Sequence, residues 1–228
     1  MRQSTAKVWD LPLRVFHWLL LIAVTGALVS VQLKAMDWHG WFGLAVLGLL
    51  VFRLVWGVIG SRHARFRSFA PGPRTLADYL RGRWHGLGHN PLGALSVFAI
   101  LGVLLFQAVT GLFADDVIAY TGPLRRAVSG DTASQVTSWH MRMEFVIYGL
   151  IALHLAAIAF HELIKRERLI KPMVTGRKPV KDASAAEDAQ GGGWVAFIVA
   201  VAIAVVAVWI ANGALLSPPP PPPPDLGW

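Results

Sequence analysis

The stretch Trp139–Leu163, WHMRMEFVIYGLIALHLAAIAFHEL, decides the fold of this chain. Its apolar run is long enough for one α-helix to cross the ~30 Å hydrocarbon core of a bilayer. His140 and His154 lie fourteen residues apart within it. At about 1.5 Å and about 100° per residue, this spacing places the two imidazoles about 21 Å apart on nearly the same helix face. The stretch therefore predicts a membrane-spanning helix with histidines at two depths.

Four further segments have a similar length and apolar character. Hydrophobic residues make up 55% of the chain, charged residues only 15%, and the mean hydropathy is +0.52. A bilayer is the solvent that tolerates long blocks of exposed apolar side chains. We therefore predict an all-α integral membrane protein with five spanning helices, at about 13–33, 39–59, 92–114, 139–163 and 194–216.

Short polar signals indicate where some of these helices begin. Asp10 followed by Pro12 favours a helix start, and Asp37 is the predicted cap of the second helix. Asp131 or Ser134 is predicted to open the fourth helix ahead of its apolar run. Beyond the fourth helix, residues 182–193 predict a flexible tether, and the seven prolines at 218–224 predict a polyproline II helix.

The basic residues predict the orientation. The net charge of +8 is concentrated near the N-terminus, in 62–83 and in 165–181, which lie on one side in any serial spanning pattern. By the positive-inside rule this side is cytoplasmic, and the C-terminal tail emerges on the other. Since the basic residues fill the gaps between apolar blocks, no nucleic-acid partner is predicted. No cleavable signal peptide is expected, because the first apolar block begins late and lacks a small-residue cleavage site.

Four of the eight histidines form two levels by depth. His17 and His154 belong to the cytoplasmic level, and His39 and His140 belong to the outer level. The absence of cysteine excludes c-type haem attachment, iron–sulfur clusters and thiolate zinc sites. One interpretation is that each pair ligates a haem iron from both sides. Polar helix-packing contacts and the metal site of a transporter are the alternatives.

Three residues near these pairs favour the haem interpretation. Arg53 follows His39 by fourteen residues, so it returns to the same face at the inner level, where it would pair with haem propionates. Arg14 is a second candidate at that level, and Gly43 would leave room for a flat macrocycle. The alternatives are that Arg53 snorkels to the surface and that Gly43 serves helix packing. The other histidines are predicted to bind no iron: His161 near the headgroups, and His63, His85 and His89 as solvated loop residues.

Six stretches resemble one known family when taken in order with the histidine spacing. They are VWDLPLRVFHW (Val8 to Trp18), HGWFGLAVLGLLVFRLVWGVIGSRHARF (His39 to Phe66), GHNPLGALSV (Gly88 to Val97), QAVTGLF (Gln107 to Phe113), SWHM (Ser138 to Met141) and LHLAA (Leu153 to Ala157). The chain resembles the prokaryotic cytochrome b561 family, in the branch that includes the cytochrome b subunits of nickel–iron hydrogenases. The resemblance implies a four-helix transmembrane dihaem bundle with two haem b groups. Its axial ligands fall on His17, His39, His140 and His154.

The resemblance also implies a function and a location. Members of the family pass electrons between the quinone pool and a redox partner, which is a hydrogenase, a dehydrogenase, a periplasmic cytochrome c or, in one subgroup, superoxide. We therefore predict an electron-transfer subunit in the bacterial inner (plasma) membrane, in contact with lipid and with quinone. A stand-alone superoxide:quinone oxidoreductase and a His-ligated metal transporter are alternatives. The predicted units are a dihaem core (1–176), a cytoplasmic tether (177–193), a fifth transmembrane helix (194–216) and a Pro-rich periplasmic tail (217–228).

Overall fold

The computed structural model describes residues 4–84, 86, 88–180 and 190–217. Most of the predicted tether, the polyproline tail and His85 lie outside these ranges. In chain order the elements are β1 (Ser4–Lys7), α1 (Leu11–Gln32), α2 (Met36–Ile59), α3 (Phe66–Phe69), α4 (Pro73–Leu80), α5 (Pro91–Phe113), α6 (Gly130–Ala159), α7 (Ile170–Thr175), β2 (Arg177–Val180) and α8 (Trp194–Ala211). A π-helical turn, Phe160–Ile164, extends α6, and 3-10 turns occur at Arg62–Ala64 and Arg125–Ala127.

Within the described residues, five helices are long and apolar enough to span a membrane, which confirms the prediction of a multi-pass helical protein. They are α1, α2, α5, α6 with its π-helical turn, and α8. The closely packed pairs are α1 with α2, α5 with α6, α2 with α5, and α8 with α2. The fifth helix thus lies on α2, and its buried face is made of Ala200, Ala204 and Ala211.

Several predicted helix ends need correction. The first helix begins as predicted, because the Asp10 carboxylate accepts a hydrogen bond from the Leu13 amide. Asp37 does not cap α2, since that helix already begins at Met36 and Asp37 lies in its first turn. Neither Asp131 nor Ser134 opens α6. The helix begins at Gly130 and is capped by Ser129, whose hydroxyl accepts a hydrogen bond from the Thr132 amide. The fifth helix ends at Ala211, before the predicted end at residue 216.

The basic segments meet at one end of the bundle, which we call the basic end. Strand β1 pairs antiparallel with β2, with Lys7 opposite Arg177, so the N-terminus joins the segment that follows α6. Residues 177–180, predicted as the start of the tether, are therefore part of a sheet. Ser61, after α2, forms a bridge with Gly191, before α8. All three basic segments thus lie together, as the spanning pattern requires.

The opposite, outer end is closed by the connection between α5 and α6. The Arg125 guanidinium donates to the Asp115 carboxylate at 2.9 Å. The Thr137 hydroxyl accepts from the Asp115 amide at 2.9 Å, which attaches the connection to α6. The Asp116 carboxylate accepts from the amides of residues 118–120, and these bonds lower the pKa of Asp116. The connection is therefore an ordered cap over the outer histidines.

Candidate functional site

The outer histidines, His39 on α2 and His140 on α6, face each other across the bundle. Their ring centroids are 6.1 Å apart and their planes are 86° apart. Two imidazoles that bind one metal ion from opposite sides, each through a nitrogen about 2 Å from the ion, have centroids about 6 Å apart. The spacing of the two rings therefore fits a shared metal centre between them.

Hydrogen bonds determine which nitrogen of each outer imidazole is available. Nδ1 of His39 donates to the Ala27 carbonyl at 2.9 Å, and Nδ1 of His140 donates to the Gln107 carbonyl at 3.0 Å. Because a carbonyl oxygen only accepts, Nδ1 carries the proton in both rings. The Thr110 hydroxyl, 3.1 Å from Nδ1 of His140, adds a further contact. Each ring is thereby held in place with Nε2 free to bind a metal, the arrangement that metal-ligating histidines adopt.

A cavity of about 70 Å³ borders the outer pair. It lies between α1, α2, α5 and α6, and Gly43 is among its lining residues. A Cβ added at Gly43 would meet nothing within 4 Å, so this glycine borders open space as predicted. Gly111 instead lies against His140, where an added Cβ would be 2.9 Å from Cε1. Tyr120 closes the outer side, with its ring 6.0 Å from that of His39. Both outer histidines therefore border an opening between the four helices.

The inner histidines, His17 on α1 and His154 on α6, lie at the basic end. They are close enough to interact electrostatically. Their helices are not among the closely packed pairs of the described residues. Nδ1 of His17 is buried without a hydrogen-bond partner, unlike the Nδ1 atoms of the outer pair. The structure thus places the two residues at one level but orients them less tightly.

Arg53 and Arg14 lie toward the basic end of the bundle. Arg53 is only 2% exposed, so it does not snorkel to the surface. Its guanidinium lies 4.4 Å from the ring centroid of Phe66, and its Nη1 has no hydrogen-bond partner. The Arg14 guanidinium donates to the Val174 carbonyl, while its Nε is buried and unpartnered. One nitrogen of the Arg53 guanidinium is thus buried without an acceptor, although its charge also interacts with the Asp10 carboxylate, and a further acceptor beside it would satisfy that nitrogen.

His89 departs from its prediction as a solvated loop residue. Its ring packs between Trp9 and Phe69, at centroid distances of 4.6 and 4.7 Å, and its Nδ1 has no partner. Burial, followed by the charges of Arg53 and His63, lowers the pKa of His89 to about 3. It is therefore neutral at physiological pH and able to donate one hydrogen bond. Sequence reasoning missed it because the surrounding loop is polar and basic.

Asp10 has a larger role than the predicted helix cap. Its carboxylate also accepts from Nε1 of Trp56 at 3.0 Å and from the Ser61 hydroxyl. Asp10 is buried, so it joins the start of α1 to the end of α2. His161 pairs with Glu167, with 2.9 Å between its Nδ1 and the carboxylate, outside both histidine pairs. In the described part of the chain, no three His, Asp or Glu side chains cluster as a metal site.

The fold defines a multi-pass helical membrane protein with histidines at two depths. The chain belongs to the prokaryotic cytochrome b561 family, whose model matches residues 8–176. Membership implies a b-type haem, and the paired imidazoles with free Nε2 atoms are the donor set that such a haem requires.

The chain is similar to several proteins named as hydrogenase cytochromes. It is 25% identical to a "Probable Ni/Fe-hydrogenase B-type cytochrome subunit" of Azotobacter chroococcum mcd 1, over 79% of this chain and 91% of the relative. A protein of the same name from Rhodobacter capsulatus is 25% identical over 79% of this chain and 84% of the relative. The "Probable Ni/Fe-hydrogenase 1 B-type cytochrome subunit" of Escherichia coli (strain K12) is 21% identical, over 76% and 91%. No solved structure matches the chain.

Proposed function

We propose that this protein is a membrane electron carrier that holds two b haems, one between His39 and His140 and one between His17 and His154. The geometry of the outer pair is the observation that carries the proposal. Its rings face each other 6.1 Å apart, and both Nδ1 atoms are bonded to backbone carbonyls. When bound, a haem supplies one-electron chemistry at its iron. Two imidazoles on that iron leave no position for oxygen, which favours electron transfer.

The unpartnered polar atoms support an inner site. The described residues have five buried side-chain nitrogen or oxygen atoms without a hydrogen-bond partner, and four belong to His17, Arg14, Arg53 and His89. Each such atom costs about 1–3 kcal/mol if left unsatisfied. All four are nitrogens on residues assigned to the inner level, so carboxylates would satisfy them. We assign Arg53 to hold a haem propionate by charge, and His89 to donate a neutral hydrogen bond.

The glycines and Tyr120 have separate roles at the outer site. Gly43 leaves open space beside the ligands, and Gly111 permits the close approach of His140. Tyr120 donates to the Gly111 carbonyl at 3.3 Å while its ring lies beside His39. This side chain is also among the residues that line the cavity. A redox partner that docks over the outer connection would be next to this site.

We assign the basic end to the cytoplasm of a bacterial cell and the outer end to the periplasm, because basic residues concentrate at cytoplasmic ends. A nickel–iron hydrogenase is the proposed partner, from the names of the relatives. A dehydrogenase or a periplasmic cytochrome c would occupy the same surface. The second electron carrier is a quinone from the membrane. This function needs no catalytic residue beyond the ligands and the groups that orient them.

Haem counting tests the proposal directly. The purified protein should show a b-type reduced-minus-oxidised spectrum and about two haems per chain. His140→Ala should lose the outer haem and His154→Ala the inner haem, whereas His161→Ala should keep both. A protein without b-type absorbance, or with either ligand variant still holding both haems, contradicts the assignment. Reduction of added quinone by superoxide without any protein partner would favour the stand-alone superoxide:quinone oxidoreductase.

A further inference from the structure

A second cavity, of about 620 Å³, lies at the basic end where α2 ends and α8 begins. It is separate from the histidine pairs. Its lining residues come from the 3-10 turn after α2, from α3, and from the segment before α8. They are Arg62, Arg65, Arg67, Ser68, Gln190 and Gly191.

Backbone contacts hold the two walls of this cavity together. The Arg62 amide donates to the Gln190 carbonyl at 2.8 Å, beside the bridge between Ser61 and Gly191. Gly191 has a φ of +91°, a backbone conformation that L side chains rarely adopt. An added Cβ there would lie 2.9 Å from an Nη atom of Arg65. The segment before the fifth helix is thus fitted closely against the arginine wall.

The cavity has the chemistry of a phosphate site. Three of its six lining residues are arginines; Arg62 already makes an interaction of its own, so Arg65 and Arg67 are the two on which the argument depends. Nε of Arg65 donates to the Gly60 carbonyl at 2.9 Å, which fixes the guanidinium and leaves its terminal nitrogens at the cavity wall. Planar guanidinium groups bind phosphate oxygens through two parallel hydrogen bonds. The lining is therefore suited to a phosphoryl group with at least one negative charge.

The ends of the neighbouring helices present exposed apolar side chains beside the cavity. Val58 near the end of α2 is 69% exposed, and Trp194 at the start of α8 is 80% exposed. Ile59 and Ile198 are also exposed large apolar residues in these helices. Apolar side chains on both sides of a basic cavity suit a ligand with an anionic head and hydrocarbon chains. Basic cavities between membrane helices bind anionic lipid headgroups in this way.

We propose that this cavity binds the phosphate of an anionic phospholipid, with the acyl chains lying along α2 and α8. The site does not depend on haem. It gives the fifth helix a role, because the lipid contacts both the arginine wall on the α2 side and the segment that leads into α8. A soluble phosphate compound carries the same phosphate group as a lipid headgroup, so the experiment must distinguish a bound phospholipid from a bound soluble phosphate.

The test compares two charge-matched variants of the full chain. Arg65→Gln with Arg67→Gln removes two arginines from the cavity, and Arg74→Gln with Arg81→Gln removes two exposed arginines of the same loop that do not line it. Each protein is reconstituted in vesicles of phosphatidylethanolamine with one fifth phosphatidylglycerol. Native mass spectrometry then counts the anionic lipids that remain bound on release. Haem content and helical circular dichroism confirm that each variant is folded.

We expect the unchanged protein and the loop control to retain one more anionic lipid than the cavity variant. The fraction of the cavity variant that retains this lipid should be at least tenfold lower. Phosphatidylglycerol should also raise the melting temperature of the first two proteins only. Equal retention in all three proteins overturns the proposal. Displacement of the lipid by millimolar inorganic phosphate overturns the lipid as the source and assigns the cavity to a soluble phosphate compound. Arg65→Lys with Arg67→Lys should give intermediate retention, because charge remains and bidentate bonding is lost.

Discussion

Adding one methyl group at Gly111 tests the proposed ligand geometry at the outer pair. The new Cβ would lie 2.9 Å from Cε1 of His140, and an ordinary carbon contact requires at least 3.4 Å, so the imidazole must move by about 0.5 Å. The movement strains the 3.0 Å bond to the Gln107 carbonyl and displaces Nε2. Metal–nitrogen distances tolerate about 0.2 Å. Disturbing the groups that orient a ligand costs about 10–100-fold in metal affinity, or roughly 1.4–2.7 kcal/mol, and we expect Gly111→Ala to fall in that range.

Gly102→Ala is the matched control, because it places the same methyl group on α5 where it meets nothing within 4 Å. The assay is a titration of haem-stripped protein with haem, followed by a pyridine haemochrome count. Gly111→Ala should show one weakened site and one unchanged site, and Gly102→Ala should match the unmodified protein. If both variants bind two haems with unaltered affinity, His140 is not held as an axial ligand in the position described.

Three other substitutions test the inner level. Arg53→Met should weaken the inner haem by about 10–100-fold, since a charged hydrogen bond contributes about 1.5–3 kcal/mol, and should leave the affinity of the outer haem unchanged; equal weakening of both haems, or of neither, would contradict the propionate role. His89→Phe keeps a ring between Trp9 and Phe69 and should lower the midpoint potential of the inner haem by about 40 mV, equivalent to about 1 kcal/mol for one electron. An unchanged potential in a redox titration would exclude His89 from the site. Asp10→Ala should destabilise the protein by about 2–3 kcal/mol through loss of the cap and of the Trp56 and Ser61 bonds, measured by thermal unfolding against Asp131→Ala.

The sequence was sufficient for the parts of the fold that depend on local pattern. Apolar runs gave the five spanning helices, and the Asp10 signal gave the start of α1. The fourteen-residue spacing predicts that His140 and His154 share one face, and depth predicts that His39 pairs with His140, whose ring centroid lies 6.1 Å away. The helix predictions succeed because the membrane imposes a fixed length on each spanning segment.

Features that depend on distant contacts were not predictable in this way. The pairing of β1 with β2 joins the two ends of the family-matched region, and a four-residue strand carries too little pattern to reveal its partner. Asp37 was chosen as a cap by residue type, but the connection after α1 is short enough for α2 to begin before it. His89 is buried by Trp9 and Phe69, whose positions follow from tertiary packing.

The sheet formed by β1 and β2 imposes an order on synthesis. Its first strand leaves the ribosome before any helix, and its second strand follows α6 by more than a dozen residues. Ser4–Lys7 therefore waits unpaired until Arg177–Val180 has been translated. The helices that carry His17 and His154 are joined at the basic end only at that moment. The outer pair lies on α2 and α6, so under the proposed ligand assignment the outer haem would bind before β2 has been translated, and the inner haem after it.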